Sequence, residues 1–100
     1  MAELLNETEV GKALGVLTAW RLDDGALVRE VELESFSQAI QVVNRVAEIA
    51  ENDNHHPDID IRWRTLTFRC TTHSANGLTQ CDVSLAQEID GVIEAMGGAG

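Results

Sequence analysis

The fold of this chain is decided by residues 51–73, which read ENDNHHPDIDIRWRTLTFRCTTH. The stretch contains all 3 histidines of the chain, its 1 proline and one of its 2 tryptophans. Pro57 and the Asn/Asp run before it must end any preceding helix, because proline lacks the backbone N–H that a helix interior uses. From Asp58 the pattern is that of extended strands. The stretch therefore predicts a helix end followed by strands, with every imidazole of the chain in that segment.

Two sets of apolar residues in this stretch have opposite parity along the chain. They are Ile59, Ile61 and Trp63 in the first set, and Leu66, Phe68 and Cys70 in the second. A strand cannot switch its buried face without a turn or a bulge, so an irregularity is expected near Arg64. The pattern predicts either a second hairpin or one long kinked strand that ends at residues 71–73.

A first hairpin is predicted upstream of this stretch. Residues 18–22 read as a strand that carries Trp20, and residues 26–33 read as the returning strand with one buried face. Asp23, Asp24 and Gly25 between them form a tight-turn signal, because glycine readily takes the positive φ that such turns require.

Three helices complete the pattern. The first helix has Asn6 or Thr8 as its N-cap. The last helix covers residues 80–96, with Thr79 as its N-cap and Asp82 three residues later. The longest helix follows a capping box of Ser35 and Gln38. Its main apolar stripe comprises Phe36, Ala39, Ile40, Val43, Ala47 and Ala50, and Val42, Val46 and Ile49 widen it. So broad a stripe indicates contact with the sheet on one side and with another helix, from a second subunit, on the other. The last helix should bury Val83, Ala86, Ile89 and Ile93.

These elements predict a single α+β domain over residues 1–100, with a frayed, flexible tail at residues 97–100. Its order is α-β-β-α-β-β-α. The simplest arrangement of these elements is a four-stranded antiparallel sheet with three helices on one face.

The composition excludes several classes of partner. The chain has 7 basic and 17 acidic side chains, a net charge of −10, and this charge disfavours binding to nucleic acid or to anionic membranes.

The N-terminus lacks a signal-peptide pattern, and no run is long enough for a membrane span. Cys70 and Cys81 are too few for a disulfide framework and read as small buried apolar residues in a reduced protein. We expect a soluble, cytoplasmic protein with a small-molecule ligand.

The histidines indicate acid–base chemistry. Imidazole titrates near pH 6.5, so it can give and take protons at neutral pH. Pro57 favours an extended His56, and neighbouring side chains on an extended backbone point to opposite sides, so His55 and His56 should not play the same role. A metal site is the alternative, but adjacent histidines chelate one ion poorly and their spacing matches no common zinc pattern.

The spacing of this constellation resembles the signature of the pterin-4a-carbinolamine dehydratases. The positions that carry the resemblance are Glu51, His55-His56-Pro57, Trp63, His73 and Asp82. Further similar positions are Trp20, Glu34-Ser35-Phe36 and Gly77-Leu78-Thr79. The resemblance covers nearly the whole chain.

The resemblance implies dehydration of 4a-hydroxytetrahydropterin to quinonoid dihydropterin without a metal or redox cofactor, by a homodimer or homotetramer. It implies His55 and His73 as acid–base groups and His56 as the residue that positions the pterin. Glu51 and Asp82 would orient or tune the histidines, and Trp20 would line the pocket. Asn54 is grouped with these residues, although many relatives carry aspartate there, which puts the rate in question. The alternative is a dimeric regulatory protein of the same fold without catalysis.

Overall fold

The computed structural model describes residues 3–96 and has the predicted order of elements. Three α-helices and four strands follow one another along the chain, and a single 3-10 turn precedes the last helix. They are α1 (Glu7–Val16), β1 (Arg21–Asp23), β2 (Ala26–Glu32), α2 (Phe36–Asp53), β3 (Asp58–Arg62), β4 (Thr65–Cys70), the 3-10 turn (His73–Ala75) and α3 (Gln80–Ala95). The α+β prediction is confirmed. The predicted tail, residues 97–100, lies outside the described residues.

The four strands form one antiparallel sheet in the order β1-β2-β4-β3. Its register pairs Leu27 with Cys70 and Val31 with Leu66, and these side chains share the face that is buried in the core. The opposite face is lined mainly by charged residues and threonines, among them Glu30 and Thr67. The sheet therefore has one apolar face for the helices and one polar face for solvent.

Helices α2 and α3 pack together and contribute to the core that the inner sheet face forms. Helix α1 lines a cleft together with α3, and the backbone N–H of Leu5 donates to the carbonyl of Leu78 just before α3 (2.9 Å). The N-terminal segment is thus tied to the loop that leads into α3. All four residues predicted for the α3 interior are buried.

The buried face of α2 is narrower than the predicted stripe, and all of its residues belong to that stripe. Its buried residues are Ala39, Val42, Val46 and Ala50, whereas Phe36 is 51% exposed and Ala47 is also exposed. Every position of the broad stripe has helical spacing, so spacing alone could not show which part of it faces the core. The capping prediction is half right. Ser35 accepts from the Gln38 N–H, but the Gln38 side chain accepts from the N–H of Glu34 rather than from that of Ser35.

The first strand is shorter than the prediction over residues 18–22. Residues 18 and 19 form a turn, and the N–H of Trp20 donates to the carbonyl of Leu17 (3.0 Å) instead of joining a strand ladder. The strand therefore begins at Arg21, after the tryptophan.

Of the two alternatives for this segment, the second hairpin is confirmed, and its turn includes Arg64, near which the irregularity was expected. Trp63 and Arg64 form a two-residue turn, in which Trp63 takes a φ of 54° and is 71% exposed. Ile61 on the preceding strand is also exposed, because β3 is an edge strand of the sheet. β4 ends at Cys70, although Thr72 forms an isolated bridge with Gly77.

The sequence analysis did not predict that Arg29 is buried. Arg29 lies on the inner face of β2, opposite Phe68, and forms an ion pair with Asp90 of α3. The indole Nε1 of Trp20 donates to the same carboxylate (2.7 Å). Asp90 therefore links α3 to the centre of β2 and to the residue that precedes β1. Within residues 3–96, no helix is long and apolar enough to cross a membrane.

Candidate active site

The end of α2 determines where His55 lies. Asn54 takes the left-handed conformation (φ 52°, ψ 41°), its N–H donates to the Glu51 carbonyl, and the N–H of His55 donates to the Ala50 carbonyl. These two bonds are those of a Schellman motif, in which a left-handed residue stops the helix and satisfies its last carbonyls. Asparagine tolerates this conformation better than most residues. Asn54 therefore turns the chain and delivers His55 toward α3.

His55 contacts the buried carboxylate of Asp82. Its Nε2 lies 2.6 Å from Asp82 Oδ1, and the two side chains are 17% and 0% exposed. An ionised carboxylate can only accept hydrogen bonds, so Nε2 carries the ring proton. In neutral His55 this leaves Nδ1 as the ring atom that can accept a proton from a substrate.

Asp82 is held by two further donors on its other oxygen. Oδ2 accepts from the backbone N–H of Thr79 (2.9 Å) and from the hydroxyl of Thr72 (2.7 Å). Asp82 is the third residue of α3, and together with Thr79 it forms the predicted capping box. The positive end of the helix dipole also favours a carboxylate there. The residue that caps α3 therefore also orients His55.

His56 has a different environment from its neighbour. Its Nε2 contacts a carboxylate oxygen of Glu51 in the last turn of α2, and these side chains are 54% and 76% exposed. The structure thus brings Glu51 to His56 and Asp82 to His55. The sequence had named both acids but could not assign each one to its histidine.

His73 begins the 3-10 turn that follows β4, and its side chain is exposed. It makes no side-chain hydrogen bond within residues 3–96. Its link to the other site residues runs through Thr72, which precedes it in the chain and contacts Asp82. Thr72 is a site residue that the sequence analysis missed, and only its position next to His73 could have drawn attention to it.

Two clefts open beside these histidines. One of about 410 Å³ lies between the end of α2 and the start of α3, and its lining includes His55, Cys81 and Ser84. Another of about 310 Å³ is lined in part by His73 and Arg69. His55 and His73 thus line two different clefts, and the predicted pairing of the two histidines stays a prediction.

The two cysteines differ in a way that the sequence did not predict. Cys70 is buried in the core, and burial raises the pKa of its thiol to about 12. Cys81 is exposed, so the prediction that it is a buried apolar residue was wrong. The physical reason is its place in the first turn of α3, where it lines the cleft of His55 instead of facing the sheet.

Two carboxyl groups line the same cleft as His55. Glu88 of α3 and Asp53 of α2 share a hydrogen bond, which raises the pKa of Glu88 above its ordinary value. Partial burial and the negative charge of Asp53 raise the pKa of Glu88 further. Neither residue was singled out in the sequence, because the pair forms only when α2 and α3 pack.

The side chain of Trp20 is hydrogen-bonded to Asp90 and not to a histidine of the site. Its indole is 6% exposed and is bonded to Asp90, so its predicted role in lining the substrate pocket stays a prediction. Among residues 3–96, no group of three His, Cys, Asp or Glu side chains is arranged to hold a metal ion.

Comparison with known proteins identifies the family. The model of the family described as "Pterin 4 alpha carbinolamine dehydratase" matches residues 3–92. A protein of Mycobacterium avium (strain 104) named "Putative pterin-4-alpha-carbinolamine dehydratase" is 49% identical over 90 residues, which cover 90% of this chain and 96% of its own. A protein of the same name from Nocardia farcinica (strain IFM 10152) is 52% identical over 88 residues, which cover 88% of this chain and 93% of its own.

Solved structures agree with these matches. The transcriptional coactivator/pterin dehydratase of Brucella melitensis superposes with a TM-score of 0.85 at 30% identity, over 88% of this chain and 96% of its own. A pterin dehydratase-like protein identified as a RuBisCO assembly factor in the alpha-carboxysome has a TM-score of 0.62 at 15% identity, over 73% of this chain and 84% of its own. The second likeness concerns the fold alone. The resemblance seen in the sequence is confirmed, and the chain belongs to the pterin-4a-carbinolamine dehydratase family.

Proposed function

We propose that this protein is a hydro-lyase that dehydrates 4a-hydroxytetrahydropterin to quinonoid dihydropterin and water. The observation that carries the proposal is the contact between His55 and the buried Asp82 beside an open cleft, in a chain of this family. The relatives are named as dehydratases, and loss of water from a carbinolamine needs one proton donor and one proton acceptor.

In this proposal His55 is the base. Its Nδ1 takes the proton from N5 of the pterin, and the N5–H electron pair forms the N5=C4a double bond. The C4a–O bond breaks, and protonated His73 gives its proton to the leaving hydroxyl, which departs as water. The His73 proton is then restored from the one that His55 has taken, so the enzyme ends as it began.

Asp82 supports the base in two ways. It holds the proton of His55 on Nε2, which keeps Nδ1 available, and it stabilises the imidazolium that forms when Nδ1 is protonated. His56 and Glu51 are more exposed, and we assign them to positioning the pterin. Asn54 supports the site through the backbone turn that it makes.

The test is the dehydration of chemically prepared 4a-hydroxytetrahydropterin, followed by ultraviolet absorbance. The expected result is a clear acceleration over buffer by the purified protein and its loss in a His55→Ala, His73→Ala double variant. No acceleration by the native protein would refute the enzymatic function. Full activity of the folded double variant would refute the roles of the two histidines.

A non-catalytic regulatory protein of the same fold is the second candidate. This candidate and the enzyme share one expected feature, an apolar surface on α2 that is formed by the half-exposed Phe36 and the incompletely buried Ile40 and Val43. We propose that a second copy of the chain covers it, giving a homodimer or homotetramer in the cytoplasm. Light scattering of the purified protein tests this assembly, and a Phe36→Glu variant should shift it toward monomer.

A further inference from the structure

Thr72 is linked to both proposed acid–base groups. It is 9% exposed and lies between β4 and the 3-10 turn that begins with His73. Its hydroxyl contacts Asp82, the carboxylate that bonds His55. We propose that Thr72 is a positioning residue that fixes the positions of His55 and His73 relative to each other. The inference deepens the proposed dehydratase function and rests on it.

The backbone of Thr72 closes the loop that carries His73. The Thr72 N–H donates to the Gly77 carbonyl (2.9 Å), and the Thr72 carbonyl accepts from the N–H groups of Ala75 (3.0 Å) and Gly77 (3.4 Å). Residues 73–76 are therefore enclosed by bonds that begin and end at Thr72. Asn76, which takes a left-handed conformation, makes the turn back possible.

The hydroxyl of Thr72 has a defined direction. Asp82 Oδ2 can only accept, so the single hydroxyl proton of Thr72 goes to Asp82. The contact between the hydroxyls of Thr72 and Thr79 (2.8 Å) must then use the Thr79 proton, and Thr79 Oγ1 in turn accepts from the N–H of Cys81 (3.2 Å). The chain of donors runs from the first turn of α3 through Thr79 and Thr72 to Asp82.

This arrangement makes Thr72 different from a packing residue. Valine has nearly the same shape, so Thr72→Val keeps the volume while it removes one donor to Asp82 and the acceptor for Thr79. Asp82 keeps His55 on Oδ1 and the Thr79 N–H on Oδ2 but loses the second donor on Oδ2, so the orientation of its carboxylate is less constrained. Because Thr72 does not contact the cleft that His55 lines, substrate binding should change little.

The experiment compares Thr72→Val with Thr72→Ser, which keeps the hydroxyl. For Thr72→Val we expect kcat to fall by about tenfold to a hundredfold with little change in KM, the range seen when an orienting partner of an active-site group is removed. Thr72→Ser should keep kcat within roughly twofold of the native protein. Thr67→Val is the matched control, because it makes the same change on the solvent face of β4 and should leave kcat unchanged.

A double-variant cycle tests whether Thr72 acts through Asp82. In an Asp82→Asn background, adding Thr72→Val should reduce kcat by no more than about twofold, because the partner through which it acts is already gone. An equal loss from Thr72→Val in both backgrounds would contradict the proposal. An equal loss from Thr72→Ser and Thr72→Val would also contradict it, because the hydroxyl would then not be the cause.

An NMR measurement separates this inference from the proposed function. The Nε2–H proton of His55 should give a protected signal in the native protein and a broadened, rapidly exchanging one in Thr72→Val. The measurement needs no substrate, so it stands even if the protein proves not to be a dehydratase. If Thr72→Val does not fold, Thr72→Ala takes its place in both measurements. An unchanged His55 signal in a folded variant without the hydroxyl would overturn the proposal.

Discussion

His55 and His56 are neighbours in the chain but belong to different environments. His55 is 17% exposed and bonds a fully buried carboxylate, whereas His56 is 54% exposed and contacts a carboxylate that is itself 76% exposed. The two histidines follow the end of α2, in the short segment between this helix and β3.

The difference shows how one sequence motif can supply two kinds of function. A buried charged contact holds a fixed geometry, because the protein interior screens it little and water does not compete for it. An exposed pair is weak and mobile, and it contributes at most about 1 kcal/mol. We therefore expect the chemistry to depend on His55 and the binding of substrate on His56.

The largest expected effect comes from removing the proposed base. His55→Ala should lower kcat by about a hundredfold to ten-thousandfold, the usual contribution of a positioned acid or base. The loss should appear at saturating substrate in the absorbance assay. If the kcat of His55→Ala stays within about tenfold of the native value, His55 is not the base. The functional difference between the two histidines would then be refuted.

The second effect concerns the partner of His55. Asp82→Asn puts an amide where the carboxylate accepts from three groups, so a buried donor loses its acceptor. We expect the free energy of unfolding to fall by about 1–3 kcal/mol, measured by urea denaturation. Asp60→Asn is the matched control on an exposed strand position and should change stability little. Equal stability of the two variants would mean that Asp82 does not bind its partners as described.

A smaller effect is expected at His56. His56→Ala should raise KM with little change in kcat, and the increase should stay below about tenfold because the pair with Glu51 is exposed. Glu51→Gln should give the same pattern more weakly. Steady-state kinetics of the two variants measure KM and kcat separately and so test this expectation. A kcat loss as large as that of His55→Ala would mean that both histidines take part in the chemistry.

The smallest effect belongs to the carboxyl pair beside His55. The pKa of Glu88 is raised above its ordinary 4.5 in the folded protein, mainly by its hydrogen bond with Asp53. The folded state therefore holds this proton more tightly than the unfolded state does. The stabilisation is fully present below about pH 4.5 and is lost as the pH rises through the raised pKa.

Glu88→Gln should remove this dependence, because an amide can donate to Asp53 at every pH. Above the raised pKa of Glu88 we expect the variant to be more stable than the native protein by about 0.5 kcal/mol or less, since the pair is largely exposed. Thermal unfolding across pH measures the difference, with Glu94→Gln on the same helix as the control. A constant difference between pH 4 and pH 7 would contradict the shared proton.

Much of the framework could be predicted from local signals. Pro57 and the Asn/Asp run indicated the end of α2, and Thr79 with Asp82 indicated the start of α3. Alternation of apolar residues indicated the second hairpin. Each of these signals depends on residues within a few positions of one another, so the sequence contains them directly.

The contacts between distant segments could not be predicted in this way. Thr72 reaches Asp82 only because the bridge between Thr72 and Gly77 folds the intervening loop back. Arg29 is buried because α3 brings Asp90 to it, and a single strand does not reveal that partner. Tertiary packing also decided which part of the broad apolar stripe of α2 is buried, because every position of that stripe fits the helical period.

The central claim is that the reaction takes place at His55 and not at its neighbour. The most direct test is a crystal structure, grown under reducing conditions, of the protein with 5,6,7,8-tetrahydropterin, which keeps the N5–H of the substrate but lacks the hydroxyl that is lost. The account predicts Nδ1 of His55 within about 3.2 Å of N5 of the pterin, a ring nitrogen of His73 on the C4a side, and His56 at the periphery. A pterin whose N5 and C4a lie against His56, with His55 out of reach, would contradict it.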